Sequence, residues 1–591
     1  PKLHVEQVIS RVVRWLLVIV GVLVTVTIAA SLLEGLALVD ILPISLVLLM
    51  SAIPVALPVM FTVSMAVGAR ELGRHGVLVT QLRAVEDAAT MDLLCADKTG
   101  TLTENRLTLV GAIARPGFTE DDVVRFGAFA SNEANADPID LAFLGAAKDR
   151  HLPPPTRVTT FVPFSAATRR TEAIVEVDGT EVHAVKGALR TVAELAGLDA
   201  EASAELQAQA DREAARGVRV LAVARGDRTT VQLVGIALLL DPPRKDSREL
   251  LDALRARGIA IKMLTGDALP VAREIGHELG LENIIRAPDL RTASAARAGE
   301  LAASADGFAE IFPEDKFRIV ESLQSSGRVV GMTGDGVNDA PALRQAEVGI
   351  AVHDATDVAK GSASAVLTTP GLGGIVDLVT HGRATYQRVL TWIVNKVSRT
   401  ILKAGFVVGA FLATGRFVIS ALGMVLLVFM TDFVKITLAT DRVRASRQPE
   451  TWNIAPLIRV AVVIGILMLG ESLGLLAFGW HRLGLAHDGA RLSTFTFQIL
   501  LYFAVFSIVS IRERRHFWSS RPSWILAIAL AADVLAGTAV GWHGLAELGP
   551  LPLRVSALVF AYAAVCCLAV NDALKVALLG RERAAKATPA A

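Results

Sequence analysis

The sequence predicts a multidomain membrane protein, in which an α-helical transmembrane bundle of about eight spans carries a doubly wound α/β domain with an α+β domain inserted into it. Three observations point there. Hydrophobic residues make up 52% of the 591, and mean hydropathy is positive, a balance rare in a purely soluble chain of this length. Apolar runs of roughly 20 residues, long enough to cross a bilayer, stand at both ends of the chain. Between them, residues 70–380 alternate short β-rich runs with amphipathic helical ones, as a parallel sheet covered by helices requires.

The opening apolar runs are 12–33 and 41–67; the closing ones lie near 392–413, 417–439, 457–480, 493–511, 523–542 and 555–574. An even number of spans puts both ends on one side of the membrane. Arg70, Arg74, Arg83, Arg442, Arg444, Arg447, Arg512, Arg514, Arg515, Arg581, Arg583 and Lys586 fall on that side, against Arg416, Arg482, Arg491 and Arg554 on the other. The positive-inside rule therefore puts the polar stretch and both termini in the cytoplasm. Within the stretch, 259–264 and 329–332 are apolar runs that each lead into Thr-Gly-Asp, while 247–257 and 269–281 have helical amphipathicity. Residues 113–242 differ, with Pro153-Pro154-Pro155 and strand-like alternation over 172–177 and 181–185.

The expected organisation is two membrane helices and a stalk over 1–84, then the α/β domain in two parts, 85–112 and 243–378. The insertion occupies 113–242, and six helices with a short cytoplasmic tail fill 379–591. The Ala-rich end after Arg583 is expected to be disordered. A formal net charge of +1 gives no footing for nucleic-acid binding. Cys95, Cys566 and Cys567 form neither a disulfide framework nor a zinc-like spacing, so a reduced cytosolic face is expected. Pro1 rather than Met opens the chain, and the start reads as a fragment boundary or a processed end.

The chemistry concentrates in four places. Asp97-Lys98-Thr99-Gly100-Thr101 follows the apolar run 91–96, and a carboxylate at the carboxyl end of a buried strand sits where α/β ligand sites form. Such a carboxylate can attack phosphorus and hold the phosphoryl group covalently. Thr333-Gly334-Asp335-Gly336-Val337-Asn338-Asp339 supplies carboxylate oxygens suited to Mg²⁺, and glycines that let backbone amides approach an anion. Thr265-Gly266-Asp267 ends another strand and can donate hydrogen bonds to phosphate oxygens. Lys316, in Pro313-Glu314-Asp315-Lys316-Phe317, can neutralise charge on a transferred phosphoryl group. Each piece alone is a common turn or a surface charge.

In this order, the four resemble the P-type ATPases over nearly the whole chain. The resemblance implies a haloacid-dehalogenase-like phosphorylation domain, with Asp97 the phosphorylated residue and Asp335 in the hinge motif. It also implies Mg²⁺ held by Asp97, Thr99 and Asp335, and ATP as substrate. The insertion resembles that family's nucleotide-binding domain: Lys186-Gly187-Ala188 matches its lysine motif, Phe164 the aromatic that stacks on adenine, and Arg219 the arginine that reaches the phosphates. Phe164 as ordinary core remains the other reading. Asp241-Pro242-Pro243-Arg244 resembles the link back to the phosphorylation domain. Related phosphatases carry a second Asp two residues after the nucleophile. Thr99 stands there instead, which disfavours a plain phosphatase.

For the ion, Pro54 and Pro58 in Ile53-Pro54-Val55-Ala56-Leu57-Pro58 will break the second span and free backbone carbonyls. The acid of calcium pumps and the cysteines of heavy-metal pumps are missing there, and the run resembles the plasma-membrane proton-pump branch. Asp432 lies mid-span, with Lys435 three residues later on the same helical face. It stands where proton pumps of the family carry their membrane carboxylate, although Thr431 replaces the usual Asn. Lys396, Arg399, Lys403 or Lys435 can supply a counterion. A pair that only fixes helix packing is the other reading of Asp432 and Lys435. The expectation is therefore ATP-driven proton export across the plasma membrane. Transport of Mg²⁺ or K⁺, and a non-transporting phosphatase-like or regulatory membrane protein, are the alternatives. The family's actuator domain carries Thr-Gly-Glu, which this sequence lacks, so a further segment or chain carrying it is an expected partner.

Overall fold

A bilayer offers no water to backbone N–H and C=O groups, so an apolar run that crosses it must satisfy them within a helix. In the computed structural model the apolar runs become such helices. The structure describes residues 4–587 except 34, 36–40, 43, 44, 47, 50–56, 105, 136, 166, 215, 216, 293, 294, 452 and 453. It divides into two compact units, one of Pro1–Arg74, Val85–Thr90 and Leu378–Ala591, the other of His75–Ala84 and Met91–Asp377.

Among the described residues, 7 helices are long and apolar enough to span a membrane: Ser10–Leu33, Gly373–Thr414, Ala421–Thr440, Ala455–Arg482, Gly489–Ile511, Trp524–His543 and Leu553–Gly580. The second expected span, 41–67, runs through positions outside the described residues, Pro54 among them, and is described as a helix from Leu57 to Arg74. Gly489–Ile511 is buried on nearly all sides. It is apolar all round, and its hydroxyls are turned onto its own turns or neighbouring backbone, as Thr496 Oγ1 is to the carbonyls of Leu492 and Val418. Gly373–Thr414 is 42 residues long and begins well before the apolar run near 392, because no breaker interrupts its helical pattern. Ser420 caps the helix Ala421–Val434, its Oγ accepting from the Gly423 amide at 3.1 Å. That helix then tightens into a 3₁₀ segment, Lys435–Thr440, immediately beyond Asp432.

The strands of the second unit are β1 (Val77–Val79), β2 (Leu93–Asp97), β3 (Thr108–Ala114), β4 (Arg157–Val162), β5 (Arg170–Val177), β6 (Thr180–Gly187), β7 (Arg219–Gly226), β8 (Val231–Leu240), β9 (Ala260–Leu264), β10 (Ile284–Arg286), β11 (Gly307–Ala309), β12 (Val330–Gly334), β13 (Val348–Ala351) and β14 (Ala365–Leu367). One sheet has the order β1-β14-β13-β12-β2-β9-β11-β10 and is parallel except where β1 meets β14. Its central strands are buried from end to end, which is why they read as unbroken apolar runs. The other sheet, β3-β8-β7-β6-β5-β4, is antiparallel. Here β5 and β6 are joined through Asp178-Gly179, both at positive φ, the two-residue turn that suits the twist of a hairpin. β3 starts at Thr108, ahead of the boundary at 113 that composition suggests, because it pairs with β8 at the other end of the insertion.

The two chain crossings into the insertion lie side by side. Thr103 and Pro243 form an antiparallel bridge, and Glu104 N donates to Pro242 O at 3.1 Å. Asp241 ties the crossings together, accepting from Thr103 Oγ1 at 2.5 Å and from Arg106 N at 3.1 Å.

Candidate active site and intramembrane charges

β12, β2 and β9 are neighbours and run parallel, so the loops leaving their carboxyl ends meet. Those loops carry Thr333–Asp339, Asp97–Thr101 and Thr265–Asp267. Asp97 ends β2, and its amide donates to Thr333 Oγ1 at 3.1 Å. Lys316 arrives from the first turn of the helix Pro313–Ser325, where Asp315 accepts from the Phe312 amide at 2.8 Å and steadies the helix start. Lys316 Nζ donates to Asp97 Oδ1 at 2.8 Å and to Asp339 Oδ1 at 2.6 Å. The other oxygen of Asp339 accepts from the amides of Asp335 and Gly336 at 3.1 and 3.0 Å. Asp339 thus shapes the loop that presents Asp335, a role that its position at the end of the motif does not reveal.

Carboxylate oxygens of Asp97, Asp335 and Asp339 lie within 4.8 Å of one another. Burial pushes the Asp97 carboxyl up to about 7, against the pull of Lys316 and with the help of Asp339. Asp335 is raised as well, by burial and then by Asp339. Burial works against the charge of Lys316, but Asp97 and Asp339 outweigh it and raise its pKa. Crowded oxygens of one sign, with one ammonium among them, fit a small hard cation such as Mg²⁺. Gly100 has φ +69°, and a Cβ there would stand 3.1 Å from Asp335 Oδ2, so the loop after Asp97 passes close to that carboxylate.

Lys98 Nζ pairs with Asp267 Oδ2 at 2.8 Å, and the Asp267 amide donates to Thr265 Oγ1 at 3.1 Å across Gly266. Thr99 and Asp267 line a cleft of about 630 Å³ whose far wall includes Arg219 and Asp241. A second cavity, of about 520 Å³, is lined by Phe164, Lys186, Arg219 and Asp140 among others. Arg219 borders both. Phe164 is 62% exposed, a free aromatic face rather than core. Lys186 is buried, with its ammonium on Asp140 Oδ1 at 2.5 Å, on Ser131 Oγ and over the Phe143 ring. Burial lowers its pKa and Asp140 opposes that. Its charge is thus already met, and it forms the wall of the cavity. Asp140 escaped the sequence reading; the signal was Asp137-Pro138, which caps and opens the helix Pro138–Asp149 that carries it.

In the membrane unit, Asp432 Oδ1 accepts from Lys435 Nζ at 2.6 Å. Lys403 Nζ donates to Thr431 Oγ1 at 3.2 Å. Arg399 and Lys396 are buried as well, close enough for the charge of Asp432 to act on both. Asp432, Lys435, Arg399 and Lys403 therefore gather in one place. Pro54 lies outside the described residues, and Pro58 is the second residue of the helix Leu57–Arg74.

Residues 91–347 match the model of the haloacid dehalogenase-like hydrolases. The chain is similar to a protein of Methanocaldococcus jannaschii inferred to be a cation-transporting ATPase, 35% identical over 587 residues, covering 98% of this chain and 72% of that one. It is also similar to a plasma membrane ATPase of Saccharomyces cerevisiae, 32% identical over 561 residues, covering 91% of this chain and 59% of that one.

Proposed function

Since the chain belongs to the P-type ATPases, we propose that it uses ATP to drive protons out across the plasma membrane, by way of a phosphoryl group carried on Asp97. In this reading Phe164 stacks on the adenine and Arg219, which borders both cavities, guides the phosphates toward Asp97. An Asp97 oxygen bonds to the γ-phosphorus while the bond from that phosphorus to the bridging oxygen breaks, and ADP leaves with the electron pair. Lys316 already touches Asp97 and is placed to meet the charge on the phosphoryl oxygens. Thr265 and the Gly266 amide offer further hydrogen bonds. Asp97 and Asp335, whose oxygens lie close together, would hold Mg²⁺ together with Thr99, and the ion when bound offsets repulsion between the carboxylate and the γ-phosphate. Asp339, bonded to Lys316 and to the Asp335 loop, keeps donor and carboxylates in register.

The observation that carries the proton is the 2.6 Å pair of Asp432 and Lys435 among Arg399, Lys396 and Lys403. Ca²⁺ wants about 6–8 oxygens and Mg²⁺ a near-octahedral set, and fixed cations repel either. A proton needs one carboxylate and a counter-charge. The plasma membrane relative in yeast supports that location.

The test is ATP-driven acidification of inside-out vesicles made from cells expressing the native protein. Asp432→Asn is expected to abolish acidification. Acidification at the parent rate in that variant would give Asp432 back to helix packing. ATP-dependent uptake of labelled K⁺ or Mg²⁺ without acidification would overturn the proton.

A further inference from the structure

Arg399 sits on Gly373–Thr414 with 1% of its surface exposed, and none of its guanidinium nitrogens has a hydrogen-bond partner among the described residues. A guanidinium keeps its charge at any physiological pH, and an unpaired charge at membrane depth is costly. The carboxylates whose charge reaches Arg399 are Asp432 and Asp533. Asp432 is already bonded to Lys435. Asp533 is not so committed. It is 8% exposed, lies near the middle of the span Trp524–His543, and makes neither a hydrogen bond nor an ion pair with any described residue. The charge that acts on it is again Arg399. Of the other acids in the later spans, Glu471 is held by Asn571 Nδ2 at 3.0 Å and Asp572 by Lys575 Nζ at 2.7 Å. On the helix Gly489–Ile511, which packs against the same span, Gln498 and Tyr502 are neutral and already bonded to Gly537 and Thr538.

We infer that Asp533 is a second proton-carrying carboxylate of the membrane helices, and that Arg399 is the positive charge it shares with Asp432. The inference rests on the proton reading above. The proton leaves the carboxyl group of Asp432, passes through water, and arrives on the carboxylate of Asp533. Asp432, ionised again, retains Lys435, and Arg399 stands as counter-charge to whichever carboxylate is ionised. Lys396 and Lys403, on the same helix face as Arg399, keep the region positive and turn metal cations away.

Two measurements on the native protein test this. In inside-out vesicles, the ratio of protons moved to ATP hydrolysed should fall at least tenfold in Asp533→Asn, and Asp533→Glu should recover most of it. A ratio equal to the parent's in Asp533→Asn overturns the inference and leaves the proton reading standing. A parent protein that hydrolyses ATP without acidifying overturns the proton reading itself. Should Asp533→Asn fail to reach the membrane, dicyclohexylcarbodiimide serves on the unaltered protein. A protonated carboxyl in an apolar setting adds across that carbodiimide to give an acylurea. Mass spectrometry should find the adduct on Asp533, and its labelling should fall when cytoplasmic pH is raised. No adduct on Asp533, with other intramembrane carboxyls labelled in the same sample, also overturns the inference.

Discussion

A carboxylate that attacks phosphorus must be ionised, yet burial lifts Asp97 toward about 7 and Lys316 alone among its close partners pulls it back. The two residues therefore stand or fall together. Given Mg²⁺ and ATP labelled at the γ-phosphate, the protein should take up label that survives acid and is released by hydroxylamine, and Asp97→Asn should take up none. Lys316→Ala should slow label uptake by roughly 10²–10³, the usual cost of losing one donor at a developing charge. That variant should also loosen Asp339, so Lys316→Arg, which keeps the charge, should recover part of the rate. At this scale the sequence exposes the motif residues and hides what orients them. Asp97, Asp335 and Thr265 sit at strand ends and announce themselves by motif. Asp339 and Asp140 each meet an ammonium brought from elsewhere in the chain, that of Lys316 and that of Lys186, and no spacing rule encodes such a partner. Lys186 shows the reverse, a motif lysine whose charge the fold spends on Asp140.

The membrane elements were legible because a bilayer imposes a length and an apolar character on every span. Their ends were less so, since a helix continues past the lipid until something stops it, as Gly373–Thr414 does. What pins three of these helix ends together is a buried pair that hydropathy cannot show. Arg512, just beyond Gly489–Ile511, grips both oxygens of Asp441 at 2.8 and 3.3 Å, and Asp441 also accepts from the Ser523 amide at 3.0 Å. Removing one partner strands the other, which costs about 3–5 kcal/mol for buried pairs. Arg512→Ala should therefore lower the thermal unfolding midpoint of the detergent-solubilised protein, and Arg512→Leu with Asp441→Leu should lower it less than Arg512→Ala alone. Equal losses in the two would mean that the pair carries no such cost.

At the scale of the molecule, both sheets followed from pattern: period-two alternation in the insertion, unbroken apolar runs in the buried parallel sheet. The seam between them did not, because β3 and β8 are neighbours only once the chain has left and returned. A segment that closes on itself in this way should stand alone. Residues 108–240, expressed by themselves, should fold, and ATP should shift the amide resonances around Phe164 and Arg219 in a heteronuclear correlation spectrum. Shifts confined to other faces would move the nucleotide elsewhere. The paired crossings have a mechanical consequence. Two links fastened to each other, Thr103 to Pro243 and Asp241 to Thr103, work like the leaves of a door hinge. Such a mounting ties the way into the insertion to the way out, so a displacement at either crossing is passed to the other.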